Sequence, residues 1–177
     1  KDIKMISIFF NRVFRAIKIE IDLYEEVKKD TSATLQAGVV VVLSSLAAGV
    51  GALQLGASNF LLAPVISLLS WYVLALIIYF VGVKLFGGLK TKNNYGEILR
   101  TIGFSSAPGL IRVFGVTPDL MKVTFIGSQF WILACMVVAV YSALNHGSLW
   151  KAFGVVIIAS VFQAFFFLLI YVFLSGF

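Results

Sequence analysis

The polar residues with the most site-like spacing lie in a short stretch of the second half of the chain. Arg100 and Arg112 are separated there by 11 uncharged residues that include Pro108. Charged side chains within an apolar segment mark functional positions by default, and interrupted membrane helices often carry substrate sites. This broken-span motif is therefore the first candidate site. Its members are Arg100, Phe104, Ser105, Ser106, Pro108, Gly109 and Arg112.

Residues for covalent or acid–base catalysis are scarce. The only histidine is His146, in a short linker, and the only cysteine is Cys135, in an apolar run without a histidine close in sequence. An enzyme nucleophile needs an adjacent base. Ser105 and Ser106 are not part of a Gly-x-Ser-x-Gly motif, because alanine follows them. We therefore predict no catalytic activity, no metal site and no cofactor.

Composition indicates a membrane protein. Hydrophobic residues make up 60% of the 177 residues and charged residues only 12%, whereas soluble domains carry about 25% charged residues. The net charge is +6, and seven of the 14 basic residues precede residue 34. Basic residues beside apolar spans are typical of the cytoplasmic face of a membrane protein. This explains the charge without a nucleic-acid partner.

Four apolar runs are long enough to cross a bilayer, which takes about 20 residues per helix. They cover residues 35–55, 61–86, 123–144 and 152–173. The 11 uncharged residues around Pro108 reach only roughly 17 Å as an α-helix. That stretch is either a broken span that takes in one or both arginines or a re-entrant segment held inside the bundle. The predicted fold is an all-α integral membrane bundle over residues 34–177.

The segment before the first run has apolar residues at helical spacing, among them Ile6, Phe9 and Val13. Basic residues lie largely off this stripe, and they are Arg12, Arg15 and Lys18. The pattern is typical of an amphipathic helix that lies on a membrane surface, with the basic side chains at the headgroups. A helix packed on the cytoplasmic ends of the spans is a compatible alternative. Residues 1–33 are assigned to this cytoplasmic helix and a turn.

The first and last apolar runs differ in the size of their side chains. The first repeats small residues every four positions, which allows close helix packing, and these are Ser44, Ala48, Ala52 and Gly56. The last run is large and aromatic all around, as in VFQAFFFLLIYVF. A helix of that kind faces lipid or fits against another protein. The candidate partner face consists of Phe165, Phe166 and Phe167.

Three segments in register resemble the Yip domain family, of the Ypt/Rab-interacting type, in the short form found in bacteria and archaea. They read YEEVKKDTSATLQAGVVVVLSSLAAGVGAL, FGGLKTKNNYGEILRTIGFSSAPGLI and HGSLWKAFGVVII. The resemblance implies five spans, with the third broken at Pro108, a cytoplasmic N-terminus and an outward C-terminus. Eukaryotic relatives contact prenylated Rab GTPases in vesicle traffic. Some carry Asp-Leu-Tyr-Gly-Pro before the first span, where this chain has Glu25 and Glu26 after Tyr24.

These features together predict a non-catalytic protein of a prokaryotic plasma or inner membrane. It would act through contacts with lipids and with another integral membrane protein, as a membrane organiser, a scaffold or an accessory subunit of a larger complex. The alternative is a small-solute or ion permease that uses the broken third span. The apolar runs contain no acidic residue, although proton or cation coupling normally uses a membrane-embedded carboxylate.

Overall fold

The computed structural model describes residues 2–53, 62–85, 94–145 and 148–175. Within these ranges the regular structure is entirely helical, as the composition predicts. The helices are α1 (Asp2–Ile17), α2 (Ile21–Lys29), α3 (Ala33–Gly51), α4 (Leu62–Ile78, continued by a π-helical segment Tyr79–Leu85), α5 (Tyr95–Ser105), a 3₁₀ helix (Ala107–Phe114), α6 (Pro118–Leu144) and α7 (Leu149–Ser175).

Four helices are long and apolar enough to cross a membrane, and they coincide with the four predicted runs. They are α3, α4 with the start of its π-helical segment, α6 and α7, with mean hydropathies between 1.8 and 2.6. Between 17% and 33% of the residues in these spans are buried inside the bundle. About two thirds or more of the residues in each span are therefore at least partly exposed, as expected for helices solvated by lipid.

The chain changes from α to 3₁₀ geometry at Ser106, just before Pro108. An α-helix through this point would need the proline nitrogen as a donor, and proline has none. Pro108 instead lies in the first turn of the 3₁₀ helix, where its missing donor leaves no gap. The Ser106 amide donates to the carbonyl of Gly103, and the Gly109 amide donates to the carbonyl of Ser106. These hydrogen bonds between residues three positions apart continue the backbone hydrogen bonding from α5 into the 3₁₀ helix.

We call α5 together with the 3₁₀ helix, residues 95–114, the broken segment. Helix α3 and the broken segment run side by side in the same direction. Three close approaches fix their register, and these are Ala37 with Gly103, Ser44 with Gly109, and Gly51 with the backbone of Arg112. Helix α6 runs the opposite way, because Gly109 approaches Ile132 while Arg112, further along, bonds Ser128. We call the end where α3 and α5 begin the α2 end, and the end where the 3₁₀ helix stops the 3₁₀ end.

The broken segment is long for its number of residues. A 3₁₀ helix rises about 2.0 Å per residue and an α-helix about 1.5 Å. The 11 residues of α5 and the eight of the 3₁₀ helix therefore extend over roughly 32 Å if they are collinear. That length is close to the roughly 30 Å of a hydrocarbon core.

The N-terminal segment consists of two helices, whereas the sequence predicts a single amphipathic helix and a turn within residues 1–33. Helix α1 ends because Ile19 takes a left-handed conformation with φ 61°. The Glu20 amide bonds the carbonyl of Arg15, and the Ile19 amide bonds that of Ala16. This is the Schellman pattern that closes helix C-termini. Periodicity alone missed the break, because a β-branched residue rarely takes this conformation.

Most of the large, fully buried side chains lie at the α2 end. Side chains with at most 2% exposure come from several helices there, namely Leu23, Tyr24 and Val27 of α2, Ile98 and Ile102 of α5, Val140 and Leu144 of α6, and Val155 and Val156 of α7. These residues form one apolar core with α3 and α4. The α2 end of the bundle is consequently closed by packed side chains.

Candidate functional site

The two arginines of the broken-span motif have different surroundings. Arg100 is buried and donates from Nε to the carbonyl of Val27 at 2.9 Å, and from Nη2 to the carbonyl of Lys28. These carbonyls belong to the last turn of α2, which leaves its final carbonyl groups without partners inside the helix. A cation also stabilises the negative end of a helix dipole. Arg100 therefore joins α2 to α5 as a structural residue.

Arg112, in contrast, is partly exposed and lines a cavity. Its Nε donates to Ser128 Oγ at 2.7 Å, its Nη2 donates to Gln129 Oε1 at 3.0 Å, and its guanidinium lies 5.3 Å from the centre of the Phe125 ring. Within the described ranges, the ion pairs all lie between residues 12 and 30. Among the described residues, the positive charge of Arg112 therefore has only neutral hydrogen-bond partners.

Arg112 lines a cavity of about 520 Å³ between α3, α4, α6 and the broken segment. This volume falls within the range of small-molecule sites, about 300–1,000 Å³. Its polar wall consists of Ser44, Ser45, Ser67, Ser70, Ser106, Arg112, Gln129 and Gln163. Its apolar wall includes Ile66, Leu74, Phe125, Ile132 and Met136. The cavity can therefore accept a ligand that is anionic at one end and apolar at the other.

The small residues of α3 explain why this space exists. Ser44, Ala48 and Ala52 line the cavity, and Ser44 also touches the 3₁₀ helix at Gly109. Short side chains bring the backbones of α3 and the 3₁₀ helix together at that point, and they leave open volume toward α4. Gly56, the fourth member of the predicted packing face, lies outside the described residues.

The remaining members of the broken-span motif separate into core and cavity positions. Phe104 is fully buried, and Pro108 and Gly109 of the 3₁₀ helix are also buried. Ser105 is buried and donates to the carbonyl of Ile102 at 2.7 Å. Ser106 lines the cavity. The motif thus brings only Ser106 and Arg112 to the same open space.

The three basic residues predicted to face lipid headgroups are in two different environments. Arg12 is only 7% exposed and pairs with Glu26 and Asp30 at 2.9 and 2.7 Å, while its Nη1 donates to Gln36. Arg15 pairs with Glu20 and Glu26. Lys18 lies on the exposed surface. The two arginines therefore link α1 to α2 and, through Gln36, to α3.

These pairs shift the carboxyl groups. Burial raises the pKa of Glu26, but hydrogen bonds from Arg15 and Arg12 outweigh it, so its pKa lies below the ordinary 4.5. The hydrogen bond from Ser32 lowers the pKa of Asp30, and the bond from Arg12 adds to it against the opposing effect of burial. Both groups are therefore more acidic in the folded protein than in the unfolded chain.

A second polar cluster at the α2 end was not found from the sequence. Lys28 is 6% exposed and donates to the carbonyl of Ser142 at 2.8 Å, to Asn145 Oδ1 and to Glu25. Glu25 in turn accepts from Ser142 Oγ at 2.7 Å. The i,i+3 spacing of Glu25 and Lys28 was a local signal, but it does not indicate contact with a residue over a hundred positions away.

Two glutamines of the apolar runs form contacts between helices. Gln163 donates to the carbonyl and the hydroxyl of Ser70, both at 2.8 Å, and Gln129 accepts from Arg112. The third, Gln54, lies outside the described residues. Polar side chains of this kind tie membrane helices together. At Gln163 the contact also forms part of the cavity wall.

In the part of the chain that the structure describes, no nucleophilic side chain is paired with a general base. Cys135 is buried, and its thiol lies 3.5 Å from the carbonyl of Ala16. No group of three histidine, cysteine or acidic side chains converges among the described residues. His146 falls outside them. The geometry on hand is that of a binding cavity.

These helices define a multi-pass membrane protein with a polar cavity beside a broken helix. The Yip1 domain matches residues 22–172 of the chain, so the protein belongs to the Yip1 domain family. The match includes α2, the broken segment and the cavity, and it begins after α1. No curated protein and no solved structure matches the chain.

Proposed function

We propose that this protein is a non-catalytic, five-span membrane protein that works by binding lipids and another integral membrane protein, as an organiser or accessory subunit. The observation that carries the proposal is the exposure of the second half of α7. Its first half packs against the bundle through Ala152, Val155, Val156 and Ala159. After Ala159 no described residue of the helix is buried. The second half, within residues 160–175, is therefore available to a neighbour.

The exposed half of α7 is strongly aromatic. Phe162, Phe165 and Phe173 are 57%, 57% and 85% exposed, and the hydrogen bonds of Gln163 to Ser70 tie this half to α4. Phenylalanine, tyrosine and tryptophan bury large apolar areas and dominate the energetics of interfaces. A surface of this kind favours a partner helix over self-packing, which prefers small residues.

The test is a replacement of Phe165, Phe166 and Phe167 by alanine, followed by mild detergent extraction and mass spectrometry of co-purifying proteins. The matched control replaces Val123, Ile126 and Phe130, which are at least 60% exposed on α6. Loss of one defined partner in the α7 variant, but not in the α6 variant, supports the proposal. A wild-type protein that stays a lone monomer in several mild detergents and conducts solute into liposomes contradicts it.

Five spans, with the N-terminus in the cytoplasm, are the proposed topology of residues 34–177. The parallel course of α3 and the broken segment supports a crossing rather than a return to the same side. The arrangement places 12 of the 14 basic residues in the cytoplasm, as the positive-inside rule requires. The proposed location is the plasma or inner membrane of a prokaryote, with Phe177 outside.

Single cysteines in a Cys135→Ser background test this topology. With five spans, Asp119→Cys and Ser175→Cys react with a membrane-impermeant reagent from outside, and Lys92→Cys stays protected. If Lys92→Cys reacts while the other two stay protected, the orientation is reversed. If all three are protected, the broken segment returns to the cytoplasmic side and the protein has four spans.

The second candidate function is a permease, which the polar cavity beside the broken helix favours. The core at the α2 end, which includes Tyr24, Ile102 and Leu144, closes the path toward that end. Transport would require a second state in which this core opens. Flux of small anions into liposomes that contain only this protein would support a permease, and its absence with folded, membrane-inserted protein would argue for the interaction role.

A further inference from the structure

The Arg112 charge needs an anion that the described part of the protein does not supply. A guanidinium carries five N–H donors, and the hydrogen bonds to Ser128 and Gln129 engage two of them. The residue lines the cavity, and no hydrogen bond from the described residues engages its remaining donors. A charge partly removed from water is costly without a counter-charge. The cavity is therefore suited to a ligand with a negative group.

The depth of Arg112 indicates where that ligand comes from. Its partner Ser128 lies six residues into α6 from Lys122, roughly 9 Å at 1.5 Å per residue. Asp119 and Lys122 are exposed near the start of α6 and belong at the aqueous boundary. A soluble anion would lose hydration to reach Arg112. The phosphate of a lipid lies near this depth already, and arginine binds phosphate with two parallel hydrogen bonds.

The cavity also meets the lipid-facing surface of the bundle. Ile66 of α4 lines the cavity and is 55% exposed. Its neighbours Leu62, Val65 and Leu69 are between 54% and 60% exposed, so this face of α4 borders the acyl chains. A chain can thus lie along Ile66 while its headgroup reaches Arg112.

We propose that the cavity is a binding site for an anionic phospholipid, with Arg112 holding the phosphate, Gln129 beside it, Ser106 elsewhere on the polar wall, and one acyl chain against Ile66. The charge selects the headgroup. A zwitterionic headgroup brings an ammonium group, and the described residues of the cavity wall include no carboxylate to receive it. A phosphatidylglycerol-type headgroup has no ammonium group, so its phosphate can pair with the guanidinium without bringing a second positive charge.

Trp71 provides a direct probe, because it lines the cavity and is only 6% exposed. Replacing Trp131 and Trp150 by phenylalanine leaves Trp71 as the sole tryptophan of three. The protein is then placed in liposomes that contain brominated phosphatidylglycerol or brominated phosphatidylcholine at equal mole fraction. Bromine quenches tryptophan on contact, so the signal reports chains that enter the cavity.

We expect the brominated anionic lipid to quench Trp71 several-fold more than the zwitterionic lipid. Arg112→Gln should remove this preference and Arg112→Lys should keep part of it. Lys122→Gln is the matched control, since it deletes one positive charge near the same end of α6, and it should keep the preference. As a second measurement, native mass spectrometry of the wild type should detect one retained anionic lipid, absent in Arg112→Gln.

Three outcomes would overturn the proposal. They are equal quenching by both lipids, a preference that Lys122→Gln abolishes as fully as Arg112→Gln, and full competition by soluble glycerol phosphate, which would make the site one for free anions. None of these readouts depends on the partner of α7. The lipid site and the interaction role can therefore fail separately.

Discussion

Gly109 and Ser44 touch so closely that a β-carbon on Gly109 would overlap the Ser44 hydroxyl oxygen. Gly109→Ala should therefore force the 3₁₀ helix away from α3 and lower the free energy of unfolding by about 1–3 kcal/mol, as overpacked sites do. The measurement is the thermal unfolding midpoint of purified protein in detergent. Adding Ser44→Gly should recover part of the loss.

Matched glycine controls exist on α6 and α7. A β-carbon on Gly127 or Gly154 would meet nothing within 4 Å, so alanine there should be neutral or slightly stabilising, since it is the better helix former. If Gly109→Ala is as well tolerated as Gly127→Ala, the close packing of α3 on the 3₁₀ helix is wrong.

Arg100→Gln should destabilise the protein at the junction of α2 and α5. The substitution leaves the carbonyls of Val27 and Lys28 buried without their partner, which costs about 1–3 kcal/mol. Lys122→Gln, at an exposed position, should change stability by less than about 0.5 kcal/mol. Protease accessibility of the segment before α3 provides a local readout, and unchanged protection in Arg100→Gln would contradict the assigned role.

Acid should loosen the N-terminal helices. The pKa values of Glu26 and Asp30 are lower in the folded protein than their ordinary 4.5 and 3.8. Groups with a depressed pKa stabilise the fold above the unfolded value and lose that contribution as pH falls through the folded value. We therefore expect the unfolding midpoint to be steady above about pH 5 and to fall below pH 4.5.

The Arg12→Gln variant isolates the ion pairs from other acid effects. Without Arg12, the pKa values of Glu26 and Asp30 move back toward ordinary values, so the variant should be less stable at pH 7 and should lose less stability on acidification. Lys18→Gln, at an exposed position, should follow the wild type. Parallel pH profiles for wild type and Arg12→Gln would refute the ion-pair explanation.

Carboxylates introduced along the broken segment should separate core from cavity. Phe104 and Ala107 are fully buried, so Phe104→Asp and Ala107→Asp place a charge in the apolar core and should abolish stable expression. Ser106→Asp enters the cavity that Arg112 also lines and should be tolerated. Expression and monodispersity in detergent measure the outcome. Loss of all three variants would show that the cavity cannot hold a negative charge.

The helices themselves were largely predictable from local sequence. The apolar runs at 35–55, 61–86, 123–144 and 152–173 coincide with the four helices that can span a membrane, because length and hydrophobicity alone decide whether a segment can cross a hydrocarbon layer. The turn at Ile19 was not predictable in this way. The left-handed conformation of Ile19 depends on how α1 and α2 pack together, because isoleucine by itself disfavours it.

The cavity was indicated only in part. The broken-span motif drew attention to Arg112 and Ser106, and the small-residue stripe drew attention to Ser44 and Ala48. Nothing in the sequence placed these residues around one space, since they meet only when α3 and the 3₁₀ helix pack side by side. Gln163 of α7 becomes part of the cavity wall only through the same packing of helices.

By itself the sequence determined an all-helical membrane protein of the Yip1 domain family, because hydrophobic length and family motifs are properties of contiguous residues. The tertiary structure decided the roles of the charged residues. Arg100 and Arg112 have the same side chain, yet one bonds carbonyls 72 and 73 positions away and the other faces a cavity. The role of a charge depends on which groups surround it, and those groups come from segments distant in sequence.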